Sequence, residues 1–320
     1  MKSLFMLLWA ACAGLAMASS EPHLPVATPA TLLLEAPEAI SQLVLTQQTE
    51  APVARRKGDV PYVPTPHDVV AKMLEMAEVS SEDVVYDLGS GDGRIVIAAI
   101  RDHNAKRGIG IDINPERIEE ANENARESNV TERVTFREGN IFEEDFSEAT
   151  VITLYLLPAV NLRLRPRLLD ELPPGTRIVS HAFNMGEWEP DQHEVVKAGY
   201  GRYNVYFWRT PANVTGTWKL QLNTDGKQQD YSLELEQQFQ QVSGTMRGGG
   251  IEVSLADARV EGETVTFTAT PEGQEAWRFT GTVKENTIAG TLKQGDAEHA
   301  WRAERDPETR RPLEVRASST

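Results

Sequence analysis

Between residues 66 and 181 the apolar positions switch repeatedly between helical spacing and short unbroken β-branched runs. This pattern predicts a helix over 66–78, a strand over 83–88, a helix over 92–102, a strand over 107–112 and a helix over 115–127. It continues with strands over 133–137 and 150–156, a helix over 159–171 and a strand over 176–181. Strands alternating with helices predict an α/β fold, a doubly wound, mostly parallel sheet covered on both faces. Residues 188–209 add two strand-like runs around Gly199–Gly201, an antiparallel hairpin at the sheet edge.

After Pro211 the period falls to two. The stretches TGTWKLQLNTDG, YSLELEQQFQQVSGTM, RVEGETVTFTA, WRFTGTVKENTIAGTL and AWRAER alternate apolar with polar residues. Asp225-Gly226, Gly248–Gly250 and Glu285-Asn286 punctuate them as turns. A small all-β antiparallel sheet or barrel follows, of about seven or eight strands on the usual strand spacing. A Gly-Thr phrase recurs at Gly216, Gly244, Gly281 and Gly290, where strands bend or approach closely. Trp218, Trp277 and Trp301 are expected in its core, and His299 stands alone, without catalytic company.

The pattern divides the chain into an export signal (1–18), a flexible linker (19–57), the α/β domain (58–210), the β domain (211–306) and a tail (307–320). Lys2, an apolar core from Leu4 to Met17 and the Ala16-Met17-Ala18 cleavage site make the first segment a signal peptide. Its core is shorter than the ~20 residues of a membrane helix. The expectation is an exported chain, periplasmic or secreted, with a lipoprotein at Cys12 and an uncleaved anchor as lesser alternatives. Cys12 is the only cysteine, so the mature chain has no disulfide, no thiolate zinc site and no cysteine nucleophile. No metal site is expected. The net charge is −16, with 32 basic against 48 acidic residues, which speaks against nucleic acid as partner.

The candidate chemistry sits in YDLGSGDGRI (86–95), between a strand and a helix. Glycines there allow positive φ and close ligand approach, and the helix start behind them presents free N–H groups. A dinucleotide fingerprint needs G-x-G-x-x-G, whereas Gly89, Gly91 and Gly93 give G-x-G-x-G, with Arg94 at the place of the third dinucleotide glycine. A second strand ends in Asp112, where a carboxylate can accept hydrogen bonds from two ribose hydroxyls. Taken alone, Asp112 could instead cap the next helix. Ser90, Asp92 and Arg94 suit capping as well as ligand contact.

D-x-G-x-G-x-G behind a strand resembles the first motif of class I S-adenosylmethionine (SAM) methyltransferases. The resemblance implies that Asp87, Gly89, Ser90, Gly91 and Gly93 hold the methionine end of SAM and that Asp112 holds its ribose. VPYVPTP (60–66), LYLLP (154–158) and RIVSHAFNMGEWEPD (177–191) resemble, more narrowly, the protein-lysine methyltransferases related to the enzymes of the ATP synthase c-subunit and the ADP/ATP carrier. That likeness covers roughly 58–190 and implies a protein lysine as acceptor. Asn140 stands where relatives read adenine. Tyr62 and Thr65 lie on a proline-stiffened segment that either straps the SAM pocket or merely leads into the helix. Tyr155, Leu156 and Pro158, with Leu157, are expected as an apolar channel wall suited to a neutral amine, and Tyr155 alternatively as a core residue. Asn184, Glu187 and Trp188 fall near the expected substrate rim. The Asn-Pro-Pro-Tyr phrase of nucleic-acid amino-methyltransferases is absent, which again counts against nucleic acid.

The β domain bears a faint resemblance to lipocalin-like modules of exported bacterial enzymes, which suggests docking to an envelope or membrane-protein partner. SAM is made in the cytosol, and this conflicts with export. Two rivals to protein-lysine methylation therefore stand: an exported SAM-fold binding module without turnover, and a methyltransferase of a small-molecule amine or hydroxyl.

Overall fold

A computed structural model describes residues 62–224 and 227–313, which lie within one compact unit. The expected export signal with Cys12, the expected linker, the turn expected at Asp225-Gly226 and residues 314–320 are outside the described residues.

The α/β part follows the expected alternation closely. Helices α1 (His67–Met76), α2 (Arg94–His103), α3 (Pro115–Glu127) and α4 (Pro158–Glu171) interleave with strands β1 (Val84–Leu88), β2 (Arg107–Asp112), β3 (Val134–Glu138), β4 (Val151–Leu154) and β5 (Arg177–His181). The hairpin is β6 (Gln192–Ala198) and β7 (Gly201–Arg209). Sheet order is β3-β2-β1-β4-β5-β7-β6, with β1 to β5 parallel and β7 antiparallel to both β5 and β6. Pro66 and Pro158 stand at helix starts, where a missing N–H costs nothing. α2 begins at Arg94 rather than 92 because Gly93 is its N-cap, at φ +79°.

The two sheet faces are covered differently. Side chains of α1, α2 and α3 close one face over Val85, Val151, Val179 and Val205. On the other, α4 contributes Leu164, Leu168 and Leu169 over Tyr86, Ile109, Ile152 and Ile178. That second layer also contains Phe239 and Leu313 of the C-terminal part, packed with Trp188 and Trp208.

The C-terminal part has nine strands, one more than the pattern suggested: β8 (Gly216–Thr224), β9 (Lys227–Gln238), β10 (Gln241–Gly248), β11 (Ile251–Ser254), β12 (Ala256–Glu261), β13 (Thr264–Ala269), β14 (Trp277–Lys284), β15 (Thr287–Gln294) and β16 (Ala297–Arg305). Eight close an antiparallel meander barrel through β9–β10 and β8–β16, and β11 adds a short edge on β10. Its interior is filled by Trp218, Trp277, Trp301, Phe267, Phe279 and aliphatic side chains, so it is a packed core rather than a ligand cup. The recurring glycines are close-approach sites: a Cβ at Gly290 would lie 1.9 Å from the Thr280 carbonyl oxygen. Residues 307–313, expected as a tail, instead pack back. Thr309 Oγ1 accepts the Thr217 N–H at 2.9 Å and Leu313 is buried beside the α/β sheet, because the last barrel strand delivers the chain to that apolar face.

Candidate functional site

A cavity of about 1040 Å³ opens at the carboxyl ends of the parallel strands, where open α/β sheets bind ligands. Strand order arranges its lining along the sheet edge: Asn140 after β3, Asp112 at the tip of β2, Asp87 in β1, Tyr155 and Leu156 after β4, and Phe183 after β5. The edge is acidic at β1 and β2 and apolar at β4 and β5.

The glycine loop is built from backbone geometry that side chains tolerate poorly. Gly89, Gly91 and Gly93 all have positive φ, between +52° and +87°. Gly89 and Ser90 N–H both donate to the Ile111 carbonyl, at 2.8 and 2.9 Å, and Gly91 N–H donates to Asp112 Oδ2 at 2.9 Å. Asp112 Oδ1 accepts the Asn114 N–H, while Asn114 itself caps α3 through the Glu116 N–H at 2.9 Å. Asp112 is therefore the brace of the glycine loop, and the cap is its neighbour.

Asp87 is buried and accepts one hydrogen bond, from Thr153 Oγ1 at 2.8 Å. Burial pushes its carboxyl up to about 8, against the pull of Thr153, and the nearby Asp112 and Asp92 charges add to the rise. Such a group gains most from a cation beside it. Burial also raises the Asp92 carboxyl, but the Arg94 guanidinium outweighs this and holds it below the usual range; the pair closes at 2.5 Å. Ser90 Oγ is buried without a partner.

Over the loop lies the segment Tyr62–Pro66. A Cβ on Gly91 would meet Tyr62 Cε2 at 2.4 Å, and the Arg117 guanidinium covers the same ring at 4.8 Å from its centroid. Arg94 Nη1 donates to the Thr65 carbonyl at 2.9 Å, and Thr65 Oγ1 pairs with His181 Nδ1 at 3.1 Å. The segment thus lines the cavity and leads into α1 at once. His181 is buried, its ring centroid 3.9 Å from that of Tyr155, and burial pushes its pKa down to about 4, so it is neutral at physiological pH. Burial likewise raises the Tyr155 hydroxyl, which keeps its proton.

Of the residues expected around SAM, Tyr62, Thr65, Asp87, Gly89, Ser90, Gly91, Asp112 and Asn140 line this one cavity. Gly93 does not: it sits beneath Phe136 and Ala121, where a Cβ would meet both at 3.0 Å or less. The Asn140 amide is engaged locally, with Glu143 Oε1 at 2.7 Å and the Phe142 N–H at 3.1 Å. On the apolar side Tyr155, Leu156 and Leu157 form the wall as expected, but Pro158 has turned outward as the first residue of α4. Trp188 is not at the rim. It is fully buried against Trp208 and Phe239, because an indole beside the second sheet face has apolar surface to bury there. Asn184 and Glu187 are exposed outside the lining. Phe142, Phe183, Val160 and Arg163 line the cavity without having stood out in the sequence, since nothing local marks such a residue as facing a pocket.

This buried acid, braced glycine loop and second strand-tip carboxylate fit SAM: a cationic, ribose-bearing ligand matches the lone Asp87 carboxyl, and the loop leaves room where a Cβ would intrude. They define a class I methyltransferase. The sequence model of the ANTKMT methyltransferase domain matches residues 87–192. A protein-lysine N-methyltransferase of Saccharolobus islandicus is 52% identical over 149 residues, 47% of this chain and 92% of that relative. The adenine nucleotide translocase lysine N-methyltransferase of Mus musculus is 30% identical over 131 residues, 41% of this chain, and the chain spans 56% of that relative's length. A solved structure described as an RNA methyltransferase from Salinibacter ruber, in complex with S-adenosyl-L-homocysteine, is 54% identical; 48% of this chain and 96% of that one align, at a TM-score of 0.45. The chain belongs to the SAM-dependent methyltransferase family that includes these protein-lysine N-methyltransferases. It is an enzyme whose methyl donor is SAM.

Proposed function

We propose that this enzyme methylates the ε-amino group of a lysine in a protein. The observation that carries the reading is the apolar wall of Tyr155, Leu156, Leu157 and Phe183, next to the acidic donor end. Asp87, the Gly89–Gly91 backbone and Asp112 are assigned to hold SAM, with Tyr62 and Thr65 as its strap and Asn140 at the adenine end. Bound there, SAM supplies an electrophilic methyl group. Attack on it needs a nitrogen lone pair, and deprotonating an ordinary lysine at neutral pH costs roughly 5 kcal/mol. The wall lowers this cost by disfavouring the ammonium form, and it excludes water that would compete for the amine. Loss of the proton to solvent precedes the transfer.

We further place the enzyme outside the cytosol on its N-terminal signal, with an envelope protein as the partner of the barrel. N-terminal sequencing of the protein recovered from cell fractions tests this, and an uncleaved cytosolic chain would overturn it.

The activity test has two stages. Calorimetric titration of the full chain with SAM should give micromolar binding, weakened about 10–100-fold in Asp112→Ala. Methyl-labelled SAM should then label poly-L-lysine, with N-methyl-lysine in the hydrolysate. Label in total RNA or in a small amine instead of lysine, or absence of SAM binding by the folded protein, would overturn the reading.

A further inference from the structure

We propose that the β-barrel shapes the acceptor side of the cavity by bracing, from outside, the segment that carries Phe183. The proposal rests on the acceptor reading above. At the end of β5 the chain makes a three-residue turn: Phe183 N–H donates to the His181 carbonyl at 2.9 Å across Ala182, whose φ is +67°. This is a γ-turn of the rare strained kind, which persists only where the surroundings hold it. It points the chain so that Phe183 lines the cavity beside Tyr155, ring centroids 6.4 Å apart.

The α/β part supplies some of the restraint. Ser180 Oγ donates to the Phe183 carbonyl at 2.6 Å, and Arg165 Nη1 donates to the Met185 carbonyl at 2.6 Å. The rest comes from the turn between β9 and β10. Phe239, at φ +54°, is buried at that turn, although hairpin tips are ordinarily polar. It stacks on Trp188 at 6.0 Å and 10° and lies under the Arg165 guanidinium at 5.2 Å. The adjacent Gln240 Nε2 donates to the Glu189 carbonyl at 2.6 Å and reaches Asp191 Oδ1 at 3.3 Å. Gln237 fixes the turn itself by donating to the Phe239 carbonyl at 2.7 Å. One barrel turn thereby holds both the middle and the end of the segment that begins at Phe183.

Neither Phe239 nor Gln240 lines the cavity, so both are positioning residues. The Saccharolobus relative is matched over 92% of its length by only 47% of this chain, so a domain the size of the barrel has no counterpart there. Methyl transfer in the family therefore does not demand a barrel, and what directs its contribution here to the acceptor side is its contact with the segment that carries Phe183.

Hydrogen exchange of the full chain tests the brace without an acceptor. In Phe239→Ala, amides 183–189 should exchange at least about tenfold faster, with a smaller effect in Gln240→Ala and recovery in Phe239→Leu. Protection of residues 89–93 by S-adenosylhomocysteine should stay within about twofold of wild type. With poly-L-lysine as acceptor, KM should rise roughly fivefold in Phe239→Ala with kcat nearly unchanged. Wild-type exchange at 183–189 in both alanine variants, or equal loss of protection at 183–189 and 89–93, would overturn the brace. A wild-type enzyme inactive on poly-L-lysine would instead sink the lysine reading, and the exchange result would still decide the brace.

Discussion

Asp87 concentrates the electrostatics of the site. Its folded pKa of about 8 lies above the unfolded carboxylate value, so its contribution to stability is full below about pH 4 and is lost as pH rises through about 8. Urea titrations between pH 5 and 8 should therefore show declining stability in the wild type and a flatter profile in Asp87→Asn. A cationic ligand beside Asp87 favours the ionised form. SAM binding at pH 7 should accordingly release up to about one proton per site, read by calorimetry in buffers of different ionisation enthalpy. Equal heats in all buffers would contradict this.

Two short elements set the two sides of the cavity. On the donor side, Gly91→Ala puts a Cβ against Tyr62, so SAM affinity should fall, and Gly91→Ala/Tyr62→Ala should lose little more than Gly91→Ala alone if the ring is the obstacle. On the acceptor side, Ala182→Gly removes the strain of a positive φ. It should stabilise the fold by about 1 kcal/mol or less in urea, since glycine also loosens the unfolded chain, while raising the acceptor KM. A site that trades stability for aim is expected to respond in these opposite directions.

For the whole molecule, the second face of the sheet is finished by the barrel rather than by helices alone. Trp188→Ala opens a cavity where α4, the hairpin and Phe239 meet, and should cost about 3–5 kcal/mol in denaturant unfolding. A net charge of −16 draws a cationic protein toward the enzyme. For poly-L-lysine, kcat/KM should fall as salt rises through the range where the Debye length drops below about 10 Å. A salt-independent rate would argue for an uncharged acceptor.

The sequence by itself determined the alternation of strands and helices, the glycine loop and the two acidic strand ends, because each is written within a few neighbouring residues: a period, a positive-φ glycine, an acid at the end of an apolar run. It also marked the change to period two after Pro211, though a strand as short as β11 lies below what alternation resolves. Tertiary structure alone decided that Asp112 braces Gly91, that His181 meets Thr65 across 116 residues, that Trp188 turns inward, and that Phe183 faces the cavity. These depend on which distant segments the strand order brings together and on which apolar surfaces remain uncovered once the sheet has formed. A buried face of an α/β layer and a phenylalanine on a distant barrel turn satisfy one another only when the chain is folded, and no local pattern records that match.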